Sequence, residues 1–292
     1  MILALSGRIK AGKSTVANII QLLIGRDKLQ HEHPNTIFEN MLNPNSINSY
    51  SKEELEGMSN WKQVAFAAKL KQIVALLIGC TVEQLEDQEF KSSPLGKEWI
   101  RYGYADGFQH IYKGDIKITQ IINKECSKEK YEEEYRVNWQ TAYKHEFTPR
   151  ELMQFIGTDL FRDKLLNNIW VNALFADYQS KTIIDKNITK GFPKVEYPNW
   201  IITDVRFPNE LQDIKERNGI VIRINRIDKT KCNQQDVNGE CVYPNCNCQN
   251  ESQHESETAL DNAEFDYVID NNSDIHHLIE EVRKMLIHFK II

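Results

Sequence analysis

Positive charge is what this chain has least to spare: 36 Lys+Arg face 42 Asp+Glu, for a formal net charge of −6. A sequence-independent grip on nucleic acid or on an anionic membrane needs a basic surface, and this composition argues against both. It leaves room for a local basic pocket around a small phosphorylated ligand. Long apolar runs are missing as well. The opening MILALS is apolar, but no stretch approaches the roughly 20 residues that span a bilayer. No basic segment precedes it and no small-residue cleavage site follows, so a secretory leader is not expected. Cysteine is scarce: six in 292 residues cannot build a disulfide scaffold, and the expectation is a soluble, cytoplasmic protein with reduced thiols. Four of the six nevertheless crowd between Cys232 and Cys248. There is no internal repeat.

What is present reads as an α/β chain, long enough to bury a sizeable core. Ile2 to Ser6 is a short apolar strand, followed by a glycine-bearing loop and an apolar helix through Val16, Ile19, Ile20 and Leu23. Residues 25–60 turn to Asn, Ser, His and Glu with little periodicity and read as loop or insertion. Trp61 to Ile78 has helical spacing in Val64, Ala67, Ala68, Leu70, Val74 and Leu77, and residues 92–144 read as an inserted subdomain. At Thr148–Pro149 a helix should start, with Thr148 as N-cap, Pro149 in the first turn and Glu151 closing a capping box. A helix over Asn168–Tyr178, a strand at Trp200–Asp204, a helix over Pro208–Asn218 and a strand at Ile220–Ile224 follow. Tyr267–Ile269 is the last strand, and Ile275, Leu278, Ile279, Val282, Leu286 and Phe289 stripe the last helix. Apolar strands separated by helices predict a mainly parallel sheet flanked by helices, within a single domain over 1–292.

Two motifs carry chemistry. Gly7-Arg8-Ile9-Lys10-Ala11-Gly12-Lys13-Ser14 fits G-x-x-x-x-G-K-[ST], placed between a strand and a helix as a phosphate-binding loop requires. Its glycines let backbone N–H groups turn onto phosphate oxygens at a positive helix end. Gly7, Lys10, Ala11, Gly12, Lys13, Ser14 and Thr15 are the candidate ATP contacts, with Lys13 reaching the β- and γ-phosphates and the Ser14 hydroxyl a Mg²⁺ ligand. Ile201-Ile202-Thr203-Asp204 is an apolar strand that presents an acid, the second expected Mg²⁺ ligand, and Arg206 follows where a guanidinium could stabilise a transferring phosphoryl group. The bland alternatives are a surface lysine after a glycine turn and a helix cap at Asp204.

Arg150-Glu151-Leu152-Met153-Gln154-Phe155-Ile156-Gly157-Thr158-Asp159-Leu160, Trp170-Val171 and Thr203-Asp204-Val205-Arg206 resemble blocks of the phage-type deoxynucleoside monophosphate kinases. Phe66-Ala67 with Leu70-Lys71, and His254-Glu255-Ser256-Glu257, extend the resemblance over most of the chain in the family's order; residues 25–60, 92–144 and 228–250 carry no matching motif. The resemblance implies a P-loop kinase fold that moves the γ-phosphoryl group of ATP, with Mg²⁺, onto a deoxynucleoside 5′-monophosphate in the cytoplasm, or in a host's if a phage or virus encodes it. Such an acceptor has a second pKa near 6, so its attacking oxygen is already ionised and no carboxylate base is required. Lys13, Lys71, Arg150, Arg162, Arg206 and Arg226 are the candidate cations, with Arg206 and Arg226 placed with Lys13 and Asp204 in the catalytic set. Gln154 and Asp159 could read a base edge, Trp170 could stack on a base or fill the core, and His254 and Glu257 would close the site.

Cys232, Cys241, Cys246 and Cys248 match a tetrahedral zinc site in number but not in any C-x2-C spacing. They fall at 227–257, where nucleotide kinases carry a lid, so a zinc-stapled lid is one expectation and free thiols the other. The expected partners are nucleotides, not nucleic acid polymers or membranes, and pairing into a homodimer is left open. Competing functions are another small-molecule P-loop kinase, such as a dephospho-coenzyme-A or sugar kinase, and a nucleotide-dependent switch; no N-K-x-D element supports the latter.

Overall fold

The computed structural model describes residues 1–33, 39–44, 46–103, 105–106, 109–110, 143–183, 194–226 and 258–292. It divides into two compact units, Met1–Ala68 with Asn168–Ile292, and Lys69–Asn167. The expected lid at 227–257, with Cys232, Cys241, Cys246, Cys248, His254 and Glu257, and most of the insertion at 92–144 lie outside the described residues.

The first unit is built on a five-stranded sheet: β1 Ile2–Ser6, β2 Trp61–Val64, β3 Asn199–Val205, β4 Ile220–Asn225 and β5 Tyr267–Asp270. The order is β5-β4-β1-β3-β2 and every pairing is parallel. β1 is central and wholly buried, as a continuous apolar run in a parallel sheet must be. Alternation sorts its side chains between the two faces. Leu3 and Leu5, level with Ile201 and Ile222 of the neighbouring strands, face helix α1 (Lys13–Glu32) and the C-terminal helix α8 (Ile275–His288). Ile2 and Ala4 face the other way, where Trp200 stacks on Phe175 of α6 (Ile169–Phe175) with ring centroids 6.2 Å apart, and Ile214 of α7 (Pro208–Glu216) is fully buried. Helices therefore cover both faces, the architecture that the alternating sequence pattern predicts.

Two segments differ from the sequence expectation. Trp61–Ile78 is not one helix: Trp61–Val64 pairs with β3 as an edge strand, and helix α3 (Ala67–Ile78) begins only after it. The strand is pinned by amides, with Gln21 Nε2 donating to the Trp61 carbonyl at 2.6 Å and Gln63 Nε2 donating to Gln21 Oε1 at 2.6 Å. Residues 25–60 are also more regular than their composition suggests. α1 runs on to Glu32, and α2 (Lys52–Ser59) starts from a complete capping box between Ser51 and Glu54.

The second unit packs the rest of α3 around Val74, Ala75, Leu85, Leu152 and Ile156. It includes α4 (Gln88–Ser92) and α5 (Pro149–Gln154), which opens with the Thr148–Glu151 capping box that the sequence announces. α5 then widens into π-helical turns over Phe155–Leu165, closed by Leu166 N–H donating to the Phe161 carbonyl at 2.9 Å. No helix among the described residues is long and apolar enough to cross a membrane.

Candidate phosphate-transfer site

The loop between β1 and α1 is shaped by contacts that a larger residue would break. A Cβ at Gly7 would lie 2.6 Å from the Ile224 carbonyl oxygen of β4. Gly12 has φ 95°, and a Cβ there would meet Asn271 Nδ2 at 2.5 Å. Lys10 is also left-handed, with φ 64°. Left-handed residues of this kind curl successive N–H groups into a concave anion nest. Gly12, the N-cap of α1, supplies no capping side chain, and the first turn carries no acid to compete for the positive end of the helix. Lys13 Nζ donates to the Gly7 carbonyl at 2.5 Å and the Arg8 carbonyl at 2.9 Å, which holds the ammonium over the loop. Ser14 is exposed on the first turn.

Parallel pairing brings the acid-ended strand to this loop. β3 lies directly beside β1, with Val205 level with Ser6, so Asp204 and Arg206 emerge at the sheet edge from which the loop departs. Ligands of open α/β sheets bind at these carboxyl ends. Asp204 is already engaged: Oδ1 accepts from the Phe66 N–H at 2.8 Å and Oδ2 from the Ala67 N–H at 2.9 Å, capping α3. Arg206 is presented by a turn that the buried Glu210 holds, one carboxylate oxygen accepting from the N–H groups of Arg206 and Phe207 at 2.8 and 3.1 Å. On the other side, the Arg226 guanidinium reaches the Lys10 carbonyl at 3.5 Å, and Asn271 Nδ2 donates to the Ala11 carbonyl at 2.9 Å.

The second unit carries four of the candidate substrate residues. Lys71 Nζ contacts Glu86 at 2.6 Å, and Arg150 donates to Gln88 Oε1 at 2.9 Å. Lys91 shares this corner; burial, then the charge of Lys71, holds its ammonium below the usual lysine range, while Glu86 opposes the shift. Gln154 and Asp159 are exposed on the helical run. Arg162 is buried, 8% exposed. Gly157 lies against Leu70: a Cβ there would stand 2.7 Å from Cδ2, the movable end of that side chain. Trp170, in the first unit, is 6% exposed and belongs to the hydrophobic core, the blander of its two expected roles.

The family model for deoxynucleotide monophosphate kinase matches residues 1–282. The chain belongs to that family. Among proteins similar to it is the deoxynucleoside-5′-monophosphate kinase of Escherichia phage T5, 25% identical over 169 residues, which are 54% of this chain and 60% of the phage protein. A protein of Acanthamoeba polyphaga mimivirus, provisionally named a deoxynucleotide monophosphate kinase, is 36% identical over 83 residues, 27% of this chain and 39% of the viral one. The matched part thus spans less than two thirds of each relative's length.

Sequence reading did not single out Arg8, Arg223, Asp261, Asn271, Glu210 or Lys91. Glu210 had a local signal, an acid two residues after Pro208 at the start of a helix. Asp261 and Asn271 had none, because their partners in the loop lie 253 and 260 residues away.

Proposed function

We propose that the protein transfers the γ-phosphoryl group of ATP to a deoxynucleoside 5′-monophosphate. The carrying observation is the phosphate loop at the uncapped start of α1, with Asp204 on the adjacent strand and Arg206 just past its end, in a chain of this family. The N–H groups of the loop and the first turn of α1 would cradle the triphosphate, with Lys13 released from its two carbonyls to a phosphate oxygen. Ser14 and Asp204 are hard oxygen donors that fit Mg²⁺. Each Asp204 oxygen accepts one N–H and keeps a second lone pair, so helix capping and ligation are compatible. When bound, the ion would neutralise charge shared by the β- and γ-phosphates.

The remaining work belongs to the chain's own cations. Arg206, held by Glu210 through its backbone, would stabilise the charge of the transferring group, and Arg226 would do so from the opposite rim of the loop. Lys71 and Arg150, with Lys91 between their fields, are suited to an acceptor phosphate, while Gln154 and Asp159 present an amide and a carboxylate for base contacts. The acceptor arrives ionised, so positioning two polyanions supplies most of the catalysis and no general base is needed.

Coupled ADP-release assays with a panel of deoxyribo- and ribonucleoside monophosphates test the proposal. ADP should appear only with a monophosphate, and faster with deoxy forms. ADP release that ignores every monophosphate would point to the nucleotide-hydrolysing switch, and none with any monophosphate to another small-molecule kinase.

A further inference from the structure

Arg8 occupies the second position of the phosphate loop, a place where the motif specifies no residue. Its backbone is the pivot of the loop: the Arg8 carbonyl accepts from Lys13 Nζ at 2.9 Å and from the Ala11 N–H at 3.1 Å. Its side chain is fixed from outside. Arg8 Nη2 lies 2.7 Å from Asp261 Oδ2, while Asp261 Oδ1 is 2.9 Å from Arg223 Nη2. Arg223 stands on β4 level with Ser6 of β1, donates to Ser6 Oγ at 3.2 Å, and places its guanidinium 5.4 Å from the Phe265 ring centroid. Its side chain is only 13% exposed, against 30% for Asp261 and 52% for Arg8. The rigid end of this chain of charges is therefore in the sheet and the loose end is in the loop.

We infer that Asp261 is a positioning residue for ATP, acting through Arg8 on the carbonyl that orients Lys13. This inference rests on the proposed function for its choice of ligand. One carboxylate bridges two guanidiniums, one oxygen to each, and so offsets one of the two positive charges and screens their mutual repulsion beside the loop. Without it, Arg8 loses its tether and is repelled by Arg223, and the first half of the loop is no longer anchored to β4. If Arg8 alone is removed, Asp261 stays paired with Arg223, and the loop loses both the tether and the positive charge that Arg8 carries. Both changes cut the same tether.

The test is equilibrium binding of a non-hydrolysable ATP analogue with Mg²⁺, without monophosphate, to wild type, Asp261→Asn, Asp261→Glu, Arg8→Ala and the double variant. These groups are partly solvated, so Asp261→Asn should weaken binding by about five-fold rather than hundreds. Asp261→Glu should recover part of the loss. In steady state, KM for ATP should rise by more than kcat falls, with an unchanged KM for monophosphate. The double variant should bind no worse than the weaker single variant, since its members act on one tether. Wild-type-like binding by Asp261→Asn, or losses that multiply in the double variant, would overturn the inference. Wild type that binds no analogue at all would instead sink the proposed function. Should Asp261→Asn fold poorly, Arg223→Lys gives an independent reading: it keeps the charge, loses the fork geometry and should loosen ATP by a similar factor.

Discussion

The two compact units solve different problems with different materials. In the first, a wholly buried central strand and two helix layers leave the phosphate loop little freedom: a sheet carbonyl crowds Gly7, Asn271 crowds Gly12, and Asp261 holds Arg8 from the side. In the second, among the described residues, five buried apolar residues anchor the core with partly buried ones such as Leu70 and Phe147 packed on them, and Leu76 and Leu165 stay exposed at 84% and 68%. Burial, and then the nearby charge of Lys71, depress Lys91 there. The difference teaches where each part of the proposed reaction can tolerate variation. Gripping a triphosphate is the same task for every substrate and suits fixed backbone N–H groups. Choosing a monophosphate depends on side chains, which a lightly built unit can vary without disturbing the loop.

That contrast can be attacked directly. Lys13→Ala should lower kcat by on the order of a thousand-fold with an unchanged melting temperature, since it deletes a charge contact to the transferring group and no core; near-normal turnover would remove the loop from the chemistry. Leu85→Ala, at a fully buried position of the second unit, should cost about 2–5 kcal/mol of that unit's stability. Calorimetry should show its transition fall while ATP-analogue binding persists, and a joint loss would mean that the units are one cooperative body. Arg206→Ala should reduce kcat by about ten- to a hundred-fold and raise KM little, as a transition-state contact does; a purely KM effect would assign Arg206 to ground-state binding. Gly157→Ala sets a methyl against the movable end of Leu70 and should change stability by about 1 kcal/mol or less, while raising KM for monophosphate but not for ATP. An effect on ATP alone would reverse the division of labour.

The smallest effect concerns charge. Lys91 has its folded-state pKa lowered, so the protonated form is disfavoured by folding and stability should rise with pH as that proton is lost. At neutral pH both states are protonated, and the cost of burying the ammonium, with the smaller repulsion from Lys71, is fully present. Lys91→Gln should therefore be more stable than wild type at neutral pH by a few tenths of a kcal/mol, after allowing for solvent screening. The advantage should vanish as pH passes the ordinary lysine value of about 10.4. A pH-independent difference in melting temperature would show that packing, not charge, is responsible.

Much of the described structure, in both units, is legible locally. Ile2–Ser6, the glycine-spaced loop, the Thr148–Glu151 box and the acid-ended strand each carry their signal within a dozen residues, and the structure builds each as expected. Trp61–Val64 was illegible as a strand because four residues show too little alternation, and neither glycine nor proline separates them from the helix that follows. Its strand state is fixed by β3, more than 130 residues away. α2 was hidden by its polar composition, with Leu55 and Ser59 its buried residues, although the Ser51–Glu54 cap was there to be read. The Arg8–Asp261–Arg223 bridge joins a loop, a turn and a strand that only the fold makes neighbours.

The sheet's outline has a practical consequence. Its two edges, Trp61–Val64 and Tyr267–Asp270, are four residues each, while the strand beside the first edge has seven. A second chain adding to either edge would find only a few backbone donors and acceptors in line, and on one of them an outward lysine, Lys62. On this account neither edge of this sheet is a ready template for a second chain. Lengthening an edge strand, more than altering the core, would be the way to make the protein form fibres.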